Sequence, residues 1–193
     1  MPWEKQFDVE DGLERAMRAF WSRGYEATSM QDLVDCMGIN RGSLYATYGD
    51  KHDLFVRALR HYDAVCRTNF FADLERDYTP RRAILTLFDT AVVASLSASG
   101  QNGCFLVNTS VELSAHDDEV ADIVAHGLSK TEEFFRRMIR AGQAAEEIPA
   151  HVDAVAAARG LLALMTGLRV LARSRPEKAL LKSVAGQAVA LLA

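Results

Sequence analysis

The hydrophobic positions near the start of the chain recur at the spacing of one helix face. The residues at positions i, i+3, i+4 and i+7 of this face are Leu13, Ala16, Met17 and Phe20. Gly24 follows and supplies a stop, because glycine adopts a positive φ without steric cost and commonly ends helices in that way. The pattern therefore predicts a first helix that buries one side and ends near Gly24.

A second helix is predicted next, because cap residues and another apolar face follow. Thr28 and Gln31 have the spacing of a capping box, and Ser29 offers a second cap. The apolar face of this helix consists of Met30, Leu33, Val34 and Met37. Gly38 breaks the helix with a turn that glycine enters easily, and Ile39 is expected to enter the core beneath that turn.

A short third helix is predicted over residues 41–48, with Asn40 as its cap. Gly49 and Asp50 close this helix, and Asp50 is placed to cap a fourth helix that begins at Lys51. A helix, a three-residue turn and a short second helix form the DNA-binding helix-turn-helix. In that motif the second helix lies in the major groove with its N-terminal residues nearest the base edges.

The predicted recognition helix carries side chains suited to DNA. Arg41 can pair with guanine through its forked guanidinium, and the hydroxyl of Ser43 can donate or accept a hydrogen bond. Gly42 lets the backbone approach DNA closely, whereas Tyr45 and other residues suit phosphate contacts that set the register. The full predicted set of DNA contacts is Thr28, Arg41, Gly42, Ser43, Tyr45, Thr47, Tyr48 and Lys51. The alternative is a three-helix unit with a tyrosine-rich surface that does not bind DNA.

The same segment resembles the TetR family of one-component transcriptional regulators. The matching residues are Phe20, Gly24, Tyr25, Thr28, Leu33, Gly38, Ile39, Leu44, Tyr45, Tyr48, Lys51, Leu54 and Phe55. The resemblance covers roughly the first third of the chain and is specific as a whole, although no single residue in it is. Thr47 stands where a histidine is common in the family, and this departure falls at a predicted DNA contact. Cys36 and Met37 replace the usual small residues before the turn glycine, which bears on packing.

The resemblance implies an all-α fold in two parts. Residues 1–55 are expected to form a three-helix DNA-binding domain, and residues 56–193 a larger helical domain that binds an effector and dimerises. It also implies a homodimer that binds a palindromic operator in double-stranded DNA and is released by a small-molecule effector. Repression is favoured because most relatives repress, and activation stays open.

Charge and composition bear on the partner and the compartment. The chain has a net charge of -4, which is unusual for a nucleic-acid binder. Residues 40–62 reverse the sign, with four basic residues against two acidic ones. No apolar run approaches the roughly 20 residues of a membrane span, and the N-terminus does not resemble a signal peptide. Three scattered cysteines favour the reducing cytoplasm over a disulfide framework.

The remainder of the chain is predicted to form further helices joined by short breaks. The predicted helices span residues 54–77, 82–99, 104–114, 117–147, 151–173 and 176–192, with a small-residue loop at 97–103. The last two helices are rich in small and apolar residues, which allow close helix packing. Such a pair from each subunit can form a four-helix dimer interface, as the resemblance implies. Alternatively, both helices complete the core of one monomer.

The segment that begins at Gly103 is the first candidate for a sensor. It resembles the Gly-Cys-x-x-x-Asn start of the sixth helix in a subset of the family, in which some members sense electrophiles or oxidants through the cysteine. Cys104 precedes a predicted helix, whose dipole would lower the thiol pKa and favour the thiolate. Asn108 could orient a ligand or bond to backbone. The alternative is that Cys104 is a small buried hydrophobe.

Non-covalent binding of a small apolar or amphipathic effector is the broader hypothesis. The pocket that the family layout implies is lined by Phe88, Val92, Cys104, Asn108, Phe134, Phe135, Met138 and Met165. Alternatively, each of these residues packs in the hydrophobic core and does not line a pocket. The histidines show no i, i+4 pairing, so neither a metal nor another cofactor is expected. An enzyme is the competing class of protein, but no nucleophile elbow, P-loop, dinucleotide fingerprint or HExxH motif occurs.

Overall fold

The computed structural model describes residues 8–97 and 102–193, apart from the side chain of Cys66, and this part of the chain is helical without strands. The elements in chain order are α1 (Val9–Arg23), α2 (Met30–Met37), α3 (Arg41–Tyr48), α4 (Lys51–Tyr62), a π-helical turn (Asp63–Thr68), α5 (Asn69–Asp77), α6 (Pro80–Ser95), α7 (Phe105–Glu112), α8 (Asp118–Ala144), α9 (Ala154–Ser174) and α10 (Lys178–Ala190). The predicted all-α fold is confirmed. Most of the predicted loop at 97–103 lies outside the described residues.

The start of α2 differs from its predicted cap. Ser29 is the N-cap: its hydroxyl accepts the Asp32 N–H at 3.1 Å, while the Asp32 carboxylate accepts the Ser29 N–H at 2.9 Å. Thr28 is fully buried, and its hydroxyl donates to the carbonyl of Gly24 at 2.6 Å. The predicted capping box of Thr28 and Gln31 is therefore wrong, because Ser29 and Asp32 form the box one residue later.

The turn between α2 and α3 follows the sequence prediction. Gly38 adopts the left-handed conformation with φ 68° and ψ 28°, and Ile39 is buried beneath it. The Asn40 side chain accepts the Ser43 N–H at 2.8 Å and so caps α3. Asp50 caps α4 and forms a capping box with Asp53. These local signals place α3 across the turn from α2, as a helix-turn-helix requires.

The predicted long helix from Leu54 to about Asp77 is divided by the π-helical turn between α4 and α5. Asp63 and Arg67, which lie on this turn, are both buried. A π-helical insertion shifts the helical register and is often found at functional sites. The helix that leaves the N-terminal domain therefore changes its register where it enters the rest of the fold.

The later helices differ from their predicted bounds by a few residues: α9 begins at Ala154 and α10 at Lys178, and several helices end earlier than predicted. Pro80 occupies the first turn of α6, which ends at Ser95 and not at residue 99. Asp117 caps α8 by accepting the Val120 N–H at 3.0 Å, and α8 ends at Ala144. The chain then turns through Glu146, whose φ is 59°. The predicted extension of α8 to residue 147 is therefore too long.

Two groups of buried apolar side chains stabilise the fold. The C-terminal core joins α6, α8, α9 and α10, and its larger members are Ile84, Phe88, Phe134, Phe135, Ile139, Leu161, Leu168 and Leu181. The N-terminal core joins α1–α4 to α7 and the start of α8, and its larger members are Phe20, Leu33, Leu44, Phe55, Tyr62, Phe105, Leu106 and Val120. Phe105 makes edge contacts with the rings of Phe55 and Tyr62 at centroid distances of 5.5 and 5.7 Å. The helix α7 is thus packed directly into the core formed by the first four helices.

The helix α9 corrects the expectation that no segment is long and apolar enough to span a membrane. Over its 21 residues, α9 is long and apolar enough to cross a membrane, judged by length and composition alone. Core helices can have the same properties, and in this fold α9 packs against α8 and α10. Only 28% of its most apolar window is buried, which leaves much of this helix at the surface.

Candidate DNA-binding and effector sites

The outer face of α3 presents several of the predicted DNA contacts. Arg41 and Gly42 are exposed in its first turn, and Tyr45 is 46% exposed. Ser43 and Thr47 are half-buried along the edges of the same helix. Its inner face carries Leu44 and Tyr48, which are buried in the N-terminal core. The N-terminal end of α3 therefore offers a guanidinium group, bare backbone and a phenol to the surface.

Two of the predicted DNA contacts require correction. Thr28 is fully buried and bonded to the carbonyl of Gly24, so its side chain is not presented to DNA. Tyr48 is also buried, and its hydroxyl donates to the backbone carbonyl of Val9 at 2.7 Å. This bond links α3 to the start of α1. Tyr48 thereby positions α3 from within the fold, and a local motif does not specify a contact between residues 39 positions apart.

Lys51 lies beside the recognition helix and is held by an aromatic ring. Its ammonium group is 4.2 Å from the centroid of the Tyr25 ring, at the distance of a cation–π contact. Burial raises the pKa of the Tyr25 hydroxyl, and the charge of Asp50 adds to the rise. The phenol is therefore neutral at physiological pH, and its ring lies against the Lys51 side chain next to the end of α3.

Arg57 contacts the end of α3, and the motif analysis did not single it out. Its guanidinium donates to the carbonyl of Thr47 at 3.1 Å and lies 5.9 Å from the Tyr48 ring. A cation at the end of a helix complements the partial negative charge of its last carbonyl groups. Arg57 thereby fixes the last turn of α3 from α4. Only its contribution to the local charge was visible in the sequence.

The positive patch around α3 is smaller than the sequence charge predicts. Arg60 pairs with Glu119 of α8 at 3.1 Å. His52 also faces an acid, because its Nε2 lies 2.7 Å from the carboxylate of Asp117. The pKa of Asp117 is lowered, first by the hydrogen bond from the Val120 backbone and then by His52. These contacts attach α4 to the N-terminal end of α8.

A possible metal site in the described residues involves the same region. Donor atoms of Asp50, His52 and Asp53 lie within 4.8 Å of one another, which the sequence analysis did not foresee. Asp50 and Asp53 form the capping box of α4, and His52 bonds to Asp117. The cluster is explained by these structural contacts.

An interior cavity of about 90 Å³ lies between the π-helical turn and helices α4–α9. Its walls are formed by Tyr62, Arg67, Phe70, Phe71, Leu87, Cys104, Val107, Leu128, Thr131, Leu162, Met165, Thr166 and Arg169. Cys104 and Met165 belong to the predicted pocket. Tyr62, Arg67 and Arg169 were not predicted, although arginine within the apolar sequence of α9 is a signal that could have drawn attention.

The other predicted pocket residues lie elsewhere. Phe88 and Val92 border a groove between α6 and α10, and Asn108 borders a surface groove beside Arg173. The amide of Asn108 donates to the carbonyl of Asn102 at 2.7 Å, so it closes a turn. The remaining three predicted residues, which pack in the C-terminal core, are Phe134, Phe135 and Met138. The predicted pocket is therefore wrong in most of its members, because α6, α7 and α8 turn those side chains away from the cavity.

The Cys104 thiol accepts a hydrogen bond from Tyr62 at 3.6 Å. Burial raises the pKa of Tyr62 well above its usual value, the neighbouring Cys104 adds to the rise, and the charges of Arg169 and Arg67 oppose it. The cavity therefore contains a neutral phenol close to two guanidinium groups. Cys104 forms part of a mixed polar and apolar wall.

Comparison with protein families matches both parts of the chain. Residues 13–58 match the family described as bacterial regulatory proteins, tetR family. Residues 80–186 match the family described as tetracyclin repressor-like, C-terminal domain. The first match contains the whole helix-turn-helix, and the second contains most of the cavity wall that follows α5.

Similar proteins agree with these family matches. The HTH-type transcriptional regulator YezE of Bacillus subtilis (strain 168) is 34% identical over 158 residues, which cover 81% of each chain. The HTH-type transcriptional repressor ComR of Escherichia coli (strain K12) is 29% identical over 97% of this chain and 90% of its own. A cysteine-substituted variant of the TetR family regulator CifR, complexed with 26bp double-strand operator DNA, is 28% identical. It superposes with a TM-score of 0.88 over 100% of both chains.

Proposed function

The chain belongs to the TetR family of bacterial transcriptional regulators, and we propose that it acts as a repressor. As a homodimer it binds a palindromic operator in double-stranded DNA, and a small-molecule effector in the larger domain releases it. The similarity to a repressor over 97% of this chain supports repression. The observation that carries the proposal is the exposed first turn of α3, where Arg41, Gly42 and Tyr45 face outward.

The proposed DNA contacts divide by chemistry. Arg41 and Ser43 contact base edges in the major groove, and Gly42 allows the backbone to come close. Tyr45, Thr47 and Lys51 contact phosphates and fix the register. Arg57 and Tyr48 contribute indirectly, because they hold the last turn of α3 in place. Since the patch is small, the affinity for DNA lacking the operator sequence is weak and falls as the salt concentration rises.

The proposed dimer forms through α9 and α10. Their inner faces complete the C-terminal core, while small residues remain at the surface: Ala156, Ala163, Ala179, Ser183, Gly186 and Ala190. A methyl group added at Gly167 or Gly186 would meet no atom within 4 Å. Small residues allow a partner's helices to approach closely. A two-fold dimer places two recognition helices about 34 Å apart, which matches successive major grooves.

The proposed division of the chain is a DNA-binding domain of residues 1–55 and an effector-binding and dimerisation domain of residues 56–193. Two elements couple the parts. The helix α4 runs from the DNA-binding domain into the π-helical turn at the cavity, and α7 packs Phe105 between Phe55 and Tyr62. An effector in the cavity favours an arrangement of these helices that spaces the two recognition helices wrongly for DNA.

Non-covalent control is preferred to a thiol switch at Cys104. The thiol is one member of a cavity wall that also contains two arginines and a tyrosine, which suits recognition of a ligand. An enzymatic function has less support, since the similar proteins are transcriptional regulators. Bacterial DNA is in the cytoplasm, so this is the proposed location.

A footprint on the DNA upstream of the protein's own gene tests the proposal. We expect one two-fold symmetric site with protected half-sites separated by about one helical turn. Sedimentation at the same protein concentration is expected to give twice the 21.3 kDa mass of one chain. Protection without symmetry, or a monomer that binds the site fully, would overturn the proposed dimer. A protein that protects no DNA in its own regulatory regions would overturn self-regulation by repression.

A further inference from the structure

We propose that the effector is a small organic monoanion, with a carboxylate held by Arg67 and Arg169 and a short apolar body held by the cavity walls. This inference rests on the proposed release of DNA by an effector, and it assigns the chemical class of that molecule. Its first support is the composition of the cavity. Two arginines line it, and no acidic side chain does so within the described part of the chain.

The positive charge in and beside the cavity exceeds the negative charge available to it. Arg67 is only 9% exposed, and its Nε lies 3.3 Å from the carboxylate of Asp63. Asp63 is shared, because Lys130 also pairs with it at 2.8 Å. Among the described residues, Arg169 forms no ion pair with a carboxylate. Arg67 and Lys130 therefore share one buried carboxylate, and the half-buried Arg169 adds a further positive charge to the cavity wall.

The hydrogen-bonding groups of the cavity are also incompletely satisfied. The Nε of Arg67 and the Asp63 Oδ1 that faces it at 3.3 Å are both buried without a hydrogen bond of acceptable geometry, although another Arg67 nitrogen donates to the carbonyl of Gly127. The hydroxyl of Tyr62 donates to the Cys104 sulfur at 3.6 Å, and sulfur is a weak acceptor. A carboxylate oxygen is a better acceptor for both donors. Charge-assisted bonds of this kind are roughly twice as strong as neutral ones.

The size of the cavity limits the rest of the molecule. Its volume of about 90 Å³ is several times the roughly 10–15 Å³ that one water-sized probe occupies, so it has room for a small molecule. A short-chain carboxylate is therefore the ligand proposed for this space. The apolar part of the ligand would lie against Phe70, Leu87 and Met165, which contribute to the walls.

The position of Arg67 connects the anion to the DNA-binding domain. Arg67 and Asp63 are both on the π-helical turn that links α4 to α5. A ligand carboxylate competes with Asp63 for Arg67, while Lys130 keeps Asp63 paired. The bond that joins the two residues across the turn is then exchanged for a bond to the ligand. The π-helical turn is thus placed to change its register when the anion binds.

The test compares butyrate with its neutral isostere butyramide at equal concentration and ionic strength. Calorimetry measures binding, and fluorescence anisotropy measures release of operator DNA. We expect butyrate to bind and to release DNA, and butyramide to do neither. Arg169→Met should weaken butyrate binding by about tenfold, because a charge-assisted bond is lost. Arg173→Met is the matched control, since Arg173 is exposed one turn further along α9 and should behave as wild type.

The outcomes separate this inference from the proposed function. Equal binding of butyrate and butyramide, or unchanged butyrate binding by Arg169→Met, would overturn the assignment of an anion. Failure of the whole series from acetate to valerate to bind would also overturn it. DNA release by a neutral compound would contradict the anion while leaving effector-controlled binding intact. Operator binding by the ligand-free protein tests the proposed function separately, and Arg169→Met must retain that binding and a native thermal midpoint.

Discussion

The carboxylate of Glu112 accepts a hydrogen bond from the backbone N–H of Glu26 at 3.0 Å, although the two residues are 86 positions apart. Glu112 ends α7, which forms part of the cavity wall, and Glu26 lies in the turn between α1 and α2. A Cβ at Gly24 would lie 2.8 Å from the same carboxylate. The bare backbone of this turn and the carboxylate of α7 are therefore in close contact. This contact joins the end of α7 to the turn that precedes α2.

Replacing Glu112 with alanine should weaken operator binding. The variant loses a partly exposed, charge-assisted hydrogen bond of roughly 1 kcal/mol, so we expect about a fivefold rise in Kd. Glu112→Gln keeps an acceptor oxygen and should lose less. Fluorescence anisotropy with operator DNA measures the change.

The control for Glu112 is Glu147→Ala. Glu147 accepts the backbone N–H of Arg81 at 3.1 Å, which is a bond of the same kind within the larger domain. This variant should keep operator affinity, even if its thermal midpoint falls. Equal losses of DNA affinity in the two variants would mean that Glu112 acts only through overall stability.

Gly42→Ala should separate fold stability from DNA binding. Alanine is favoured over glycine inside a helix by about 1 kcal/mol, and the added Cβ would meet only the Asn40 carboxamide oxygen at 3.3 Å. We expect a thermal midpoint equal to or above wild type, with operator affinity reduced about tenfold because the methyl group holds α3 away from DNA. Retained affinity would show that α3 does not approach DNA along this face.

Local signals account for the parts of the fold that the sequence predicts well. Gly38, Asn40 and Asp50 determine turns and caps through interactions within three or four residues, so their roles can be read from the chain. The roles of Thr28 and Tyr48 cannot be read from the chain in this way. Whether their hydroxyls face DNA or the interior depends on the packing of α1, which local spacing does not specify.

The cavity was harder to predict for the same physical reason. Its position depends on which face of each helix turns inward, and one helical position changes that direction by about 100°. Cys104 and Val107 face the cavity, whereas Asn108 closes a turn outside it. The π-helical turn adds a further register shift that no motif in the sequence indicates. Arg67 therefore reaches the cavity from a helix whose sequence predicts an uninterrupted α-helix.

Cys104→Ser should leave operator binding unchanged. The serine hydroxyl is smaller than the thiol, and it can still accept the hydrogen bond from Tyr62. A mild thiol oxidant should also leave the wild-type complex intact in the anisotropy assay. Oxidant-dependent release by wild type, together with its absence in Cys104→Ser, would instead identify Cys104 as the sensor.

Asp32→Asn should destabilise the helix-turn-helix in a pH-dependent way. Hydrogen bonds from Ser29, followed by Arg23, lower the pKa of Asp32 from its usual value of 3.8 to about 2. Because the folded pKa is depressed, the charged group stabilises the fold above pH 3.8, and this contribution is lost as the pH falls towards 2.

Urea unfolding of wild type and Asp32→Asn measures this effect. The difference in the free energy of unfolding should be constant from neutral pH to about pH 5 and shrink below about pH 4. Asp35→Asn, on the same helix, is the control with an equal change in charge. A difference that stays constant through the acidic range would contradict the role assigned to the ionised Asp32.

The most direct test of DNA recognition by α3 is the operator affinity of Arg41→Ala, measured by anisotropy over a series of salt concentrations. We expect the variant to lose about 1–3 kcal/mol on the operator and to discriminate less against a scrambled sequence. Arg60→Ala should bind nearly as wild type, because Arg60 is paired with Glu119. If Arg41→Ala binds the operator with wild-type affinity and specificity while Arg60→Ala does not, the recognition surface lies elsewhere and the assignment of α3 is wrong.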